Sequence, residues 1–186
     1  GGIAATRDVT LRNMLPRDML YVVVSNAATG TVDLSPANLG GYEAFQANWA
    51  IDDIPARSGA LDSINAMLFS DVDTGDLTPS QLEAIRTWVL RGGHLVVTGG
   101  SAYQATAAGL QDLLPLVPTS SESHEGLTEL LALAGLNADA RADEDLAQTF
   151  IAAEGDLSED ATVLASTGDG ATLIARRSLG YGTVDY

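Results

Sequence analysis

The chain has no cysteine and no lysine among its 186 residues, only two histidines, and aromatic side chains at 5%. Without a thiol there is no cysteine nucleophile, no disulfide, no thiolate metal site and no iron–sulfur ligation. Nine arginines stand against 25 acidic residues, a formal charge of −16. Such a surface repels the phosphate backbone of nucleic acid and anionic lipid, while cationic partners stay compatible with it. A solvated acidic exterior is the simplest source of this balance. No run approaches the roughly 18 apolar residues of a membrane span, and the first residues lack the basic-then-apolar pattern of a signal peptide. Direct membrane insertion by this stretch is not expected.

What is present is ample apolar matter. At 46% hydrophobic residues, the chain can bury the core of one domain, read as residues 19–186 behind an N-terminal extension, 1–18. The clearest stretch is Thr78 to Gly100, TPSQLEAIRTWVLRGGHLVVTGG. Thr78 and Gln81 form a capping box, and Pro79 takes the first helical position, where its missing N–H costs nothing. Leu82, Ile85, Val89 and, on the flank, Trp88 make one apolar stripe, with Gln81, Glu83 and Arg86 expected to look outward. Gly92-Gly93 ends the helix, and His94 to Thr98 reads as a strand with little alternation, as expected when both sheet faces are covered.

Other segments fall in line with this block. Met19 to Val24 predicts a central strand ending at the turn signal Ser25-Asn26. Gly30 to Leu34 is a short extended piece, Pro36 to Gln46 a loop and then helix, Asn48 to Ile51 and Ala66 to Phe69 short strands. Ser101 to Leu114 predicts a helix that Pro115 and Pro118 end, Pro118 to Glu125 a polar linker, and Gly126 to Leu136 another helix. Ala138 to Ala147 is an acidic helix or connector. Four strand-like runs close the chain, Thr149 to Ala152, Ala161 to Ala165, Ala171 to Ala175 and Gly182 to Tyr186, with Thr167-Gly-Asp-Gly170 as a hairpin turn. The expectation is a three-layer α/β fold, its central sheet mainly parallel, with an antiparallel C-terminal strand pair.

The helix-Gly-Gly-strand-Gly-Gly block, the opening strand Tyr21-Val-Val-Val24 and the ending Leu179-Gly-Tyr-Gly-Thr-Val184 resemble the class I glutamine amidotransferase-like superfamily, flavodoxin-like in topology. More narrowly they are similar to its bacterial branch of ectodomains on membrane-anchored envelope proteins. The resemblance covers residues 19–186. It implies a cell-envelope setting, with other domains of a parent protein or an envelope protein as partners. A start at Gly-Gly-Ile and an end inside a strand-like segment suit a piece of a longer protein.

In active members a cysteine stands at the turn after the strand that corresponds to His94–Thr98, with a glutamine four residues on. Here the turn reads Thr98-Gly99-Gly100-Ser101-Ala102-Tyr103-Gln104, which puts Gly100 in the nucleophile position. The family's His and Glu partners lie near the carboxyl end of the domain, where neither His94 nor His124 falls. The resemblance therefore carries over no catalytic residue, and neither cofactor nor metal is implied.

Strand carboxyl ends in an open α/β sheet line the ligand crevice, which makes Ser25, Asn26, Asp71, Asp73, Gly99, Gly100 and Ser101 the candidate lining. Ser101 as a hydrolytic nucleophile needs a base, and His124 in its polar linker is more often an exposed side chain; as an N-cap Ser101 needs none. Asp71, Asp73 and Asp76 alternate as carboxylates around a hard cation do, yet the EF-hand count fails at Gly75, Asp76 and Leu82, and a polar strand-to-helix loop explains them. Two functions follow: a non-catalytic amidotransferase-like scaffold or interaction domain, or a small-ligand, cation-binding or hydrolytic site in that crevice.

Overall fold

A computed structural model describes residues 14–15, 17–26, 43–126, 128–133 and 149–186. The segments expected at 30–34 and 138–147, the start of the one at 36–46, and nearly all of the extension 1–18 lie outside the described residues. Among the described residues nine strands form two sheets. The larger runs in the order β2-β1-β3-β4-β9-β8-β7, where β1 is Met19–Val24, β2 Ala44–Trp49, β3 Ala66–Phe69, β4 His94–Val97, β7 Thr162–Ser166, β8 Thr172–Leu179 and β9 Gly182–Asp185. From β2 to β9 every neighbour is parallel. The last three strands are joined antiparallel. The sheet is thus mixed and mostly parallel, and the C-terminal antiparallel part is a three-strand extension of it. Separately, β5 (Leu116–Glu125) pairs antiparallel with β6 (Thr149–Leu157) as a two-stranded ribbon.

Continuous apolar sequence in β1 follows from burial on both faces. Val22 and Val24 enter the main core, while Tyr21 and Val23 join Leu68 in a smaller cluster on the opposite face. Against the main-core face lies α1 (Pro79–Leu90), burying Ala84, Ile85, Trp88 and Val89. The Trp88 indole N–H donates to the Ile64 carbonyl at 3.0 Å, so this tryptophan is packed and satisfied. Trp49 packs only partly buried against the same core.

The capping box is present: Thr78 Oγ1 accepts from the Gln81 amide, and Gln81 Oε1 accepts from the Thr78 amide at 2.9 Å. Gln81 does not look outward as its spacing suggested. It is buried, and its Nε2 donates to the carbonyls of Ile51 and Ile54 at 3.0 and 2.8 Å, satisfying the backbone of the 3-10 turn Ile51–Asp53 and its exit. Of the two glycines that end α1, Gly92 takes φ 120°, and Gly93 leaves no room for a side chain, since a Cβ there would lie 2.3 Å from the Trp88 ring.

Three expectations are corrected. The polar segment Pro118–Glu125 is no linker but most of β5, shifted in register between Pro118 and Ser120, where proline offers no N–H to the ladder. Its run of exposed residues from Thr119 to Ser123 hides the strand, because no apolar face is required of it. The helix expected over Ser101–Leu114 is only α2 (Tyr103–Ala107), followed by a 3-10 turn at Gln111–Leu113. Buried Thr74 ends it: Oγ1 donates to the carbonyls of Thr106 (3.0 Å) and Ala105 (3.3 Å) and accepts from the Gly109 amide at 2.9 Å. Ser101 is not the N-cap either. That position is Ala102, with no side-chain bond, and Ser101 is exposed. Lesser differences are β2, which starts at Ala44, and the helix after Gly126, α3, which spans Thr128–Leu133. The Thr167–Gly170 hairpin turn joins β7 to β8 as expected, with Gly170 at φ 97°.

Candidate functional site

Cross-strand partners share a face of the sheet, so register alone places a row of side chains: Val23, Leu68, Val96, Asp185 and Arg176 lie side by side from β1 to β8. The row is apolar at its middle and ionic at one end. Arg176 donates from Nε and Nη2 to the two Asp185 oxygens, each at 2.6 Å, a bidentate pair. His94, two residues before Val96 and so on the same face, places Nε2 2.9 Å from Asp185 Oδ2. Burial of the Asp185 carboxyl works to raise its pKa, but the bonds from Arg176 and His94 outweigh burial and hold it at about 2. The Arg176 guanidinium is raised in turn by its bond to Asp185. His94 is thereby a structural partner of a carboxylate, a role its position in the sequence did not show. Arg176 and Asp185 were within reach of sequence reasoning, since counting outward from the Leu179–Gly182 turn pairs them.

Where β4 and β9 end, the row opens on a cavity of about 360 Å³. Val96, Leu116, Leu130, Phe150, Ala152 and Ile174 supply its apolar walls, so β4, β8, α3 and the ribbon all contribute. Gly99 and Gly100 form the strand-to-helix side of it, with Asp185 and Tyr186 at the β9 end. A Cβ on Gly99 would meet the Tyr186 ring at 3.0 Å and Ala153 at 3.1 Å, so glycine lets that ring pack against the turn. The Tyr186 hydroxyl is buried without a hydrogen-bond partner among the described residues. Burial, and then the neighbouring Tyr103, push its pKa up.

The other expected crevice residues do not gather there. Asn26 and Asp73 line a separate, polar cleft of about 440 Å³ with Asp52 and Asp76, at the ends of β1 and β3. Asp73 Oδ1 accepts from the Gly75 amide at 2.9 Å, closing a local turn. Ser25 donates its amide to the Trp49 carbonyl at 3.3 Å. Asp71, at φ 50°, and Ser101 are exposed and line neither space. Among the described residues no three His, Asp or Glu side chains are grouped to hold a metal ion. The single crevice of the sequence reading is two, one apolar and one acidic. Of the apolar one the sequence showed Gly99 and Gly100 but not the walls opposite, because part of these, Leu116 and Phe150 to Ala153, comes from the ribbon.

His124, expected in a linker loop, is on β5 with its ring 5.8 Å from that of Phe150 and its side chain only 9% exposed. Its Nε2 lies 3.7 Å from Glu154 Oε1. Neither histidine lines the apolar cavity. No helix among the described residues is long and apolar enough to cross a membrane.

Similar folds occur in two Salmonella typhimurium proteins. The cytoplasmic protein STM3548 superposes with a TM-score of 0.62 at 14% identity, over 89% of this chain and 85% of that one. The cytoplasmic protein STM1381 of strain LT2 gives 0.60 at 15%, over 90% and 86%. A β-galactosidase from Bacillus circulans sp. alkalophilus contains a similar unit in 28% of its length, with a TM-score of 0.51 at 12% identity over 91% of this chain. At such identities the likeness is one of fold. No curated protein matches the chain by sequence. Residues 55–186, from the turn before β3 to the end of β9, match a domain of unknown function, and the chain belongs to that family, DUF7408.

Proposed function

We propose that the chain is a non-catalytic amidotransferase-like domain, flavodoxin-like and three-layered, that serves as a scaffold or interaction module for other domains of its parent protein or for an envelope partner. The order of its parallel strands, β2-β1-β3-β4-β9, supports this reading, being the 2-1-3-4-5 order of flavodoxin-like sheets. The observation that carries it is the turn after β4. Where an amidotransferase has its nucleophile, Gly99 and Gly100 border an apolar cavity, His94 is engaged by Asp185, and Ser101 is exposed and outside that lining. A nucleophile and a base within hydrogen-bond reach are the minimum for covalent acyl transfer. Among the described residues no hydrogen bond joins the Ser101 hydroxyl at this turn to a base, which supports the non-catalytic reading. Release of ammonia from glutamine and hydrolysis of activated esters by the purified chain test the reading: rates equal to buffer are expected, and turnover abolished by Ser101→Ala would overturn it.

A further inference from the structure

We infer that the cavity between the β4–α2 turn and the ribbon is a binding site for a small neutral ligand with an apolar body and a carbonyl acceptor at one end, such as a medium-chain acyl amide. Its volume, about 360 Å³, falls within the range of small-molecule pockets, roughly 300–1,000 Å³. Five walls converge on it from four elements, with Leu116, Leu130, Phe150, Ala152 and Ile174 offering only carbon to an occupant. A stretch of methylenes is the chemistry that gains most from such a lining.

The polar groups choose the head group. Asp185 is the ionised side chain in the lining, and both its oxygens are already held by Arg176 and His94, so an ammonium ligand would have to compete with a bidentate guanidinium. No arginine is among the described lining residues to receive an anion, and a chain of net charge −16 repels one. Donors remain at the strand-to-helix turn: among the described residues the amides of Gly99 and Gly100 donate to no group. An uncharged carbonyl oxygen matches them. This goes beyond the scaffold reading and fails separately from it, since turnover would leave ligand binding standing.

Isothermal titration of the whole chain with octanamide, octanoate, octylammonium and acetamide tests the inference. Octanamide is expected to bind with Kd on the order of 0.1 mM, as a short chain that pays the entropic cost of association allows. Acetamide, lacking the apolar body, and octylammonium should bind at least tenfold more weakly. Ala152→Trp fills the cavity and should abolish binding, while Leu157→Trp, on the same strand but outside the lining, should not. Should Ala152→Trp fail to fold, Phe150→Ala enlarges the cavity and should shift preference toward decanamide. Absence of heat with octanamide, equal binding by a folded Ala152→Trp or an unshifted Phe150→Ala, or preference for either charged probe would overturn the assignment.

Discussion

The parallel half of the large sheet and the β5–β6 ribbon are built from the same backbone pairing on opposite terms. In β1, β3 and β4 most side chains are buried, and α1 adds Ile85, Trp88 and Val89 to the same core. The ribbon has ten residues in one strand and nine in the other but sends few side chains into the core, chiefly Leu116 and Ala153. Its extended shape rests on cross-strand pairing, with the exposed faces of Thr119–Ser123 left to solvent. Burial, then, and not strand length, decides how much stability an element contributes.

Substitutions ranked by expected effect sharpen that contrast. Trp88→Ala removes a buried ring and leaves the Ile64 carbonyl unpaired, and should cost about 3–5 kcal/mol in urea unfolding. Gly93→Ala forces a methyl into the same ring and should cost about 1–3 kcal/mol, with the loss relieved when Trp88 is replaced by a smaller apolar residue. A double-mutant cycle reads that coupling.

Asp185→Asn should cost about 2 kcal/mol at neutral pH, and the sign of its pH dependence is fixed. The folded carboxyl titrates at about 2, below the ordinary aspartate value of about 3.9. Its stabilisation is therefore complete above pH ~4 and is lost as pH falls toward 2, so wild type should lose stability over that window and Asp185→Asn should lose measurably less. Ser121→Ala and Ser123→Ala on the ribbon should stay within about 0.5 kcal/mol of wild type. A ribbon substitution as costly as Trp88→Ala would erase the distinction between the two regions.

The same contrast explains what was legible in the sequence. Strands β1, β3 and β4 and helix α1 write their burial as apolar runs, a stripe and caps, and these were readable residue by residue. Pro118–Glu125 writes nothing of the kind because Thr119–Ser123 are exposed on both faces, and its partner, β6, lies more than twenty residues further along the chain. Gln81 shows a second limit: a capping residue counts as polar and outward until a neighbouring turn, Ile51–Asp53, presents carbonyls for it to satisfy. Thr74 shows a third, since a hydroxyl from before α1 ends a helix that begins after β4. At the site, strand ends pointed to Gly99 and Gly100. The cavity they border depends on Phe150 and Leu130, which only the folded chain brings near.

The central claim is that the turn after β4 binds and does not react. Gly100→Cys, which places a thiol at the position the proposed amidotransferase likeness assigns to the nucleophile, tests it most directly when ammonia release from glutamine is followed beside wild type. The account predicts no release above the buffer rate from either protein, because neither His94, held by Asp185, nor His124, beside Phe150, is among the residues lining the cavity at that turn. Sustained glutamine turnover by Gly100→Cys would reveal a base poised at the site and contradict it.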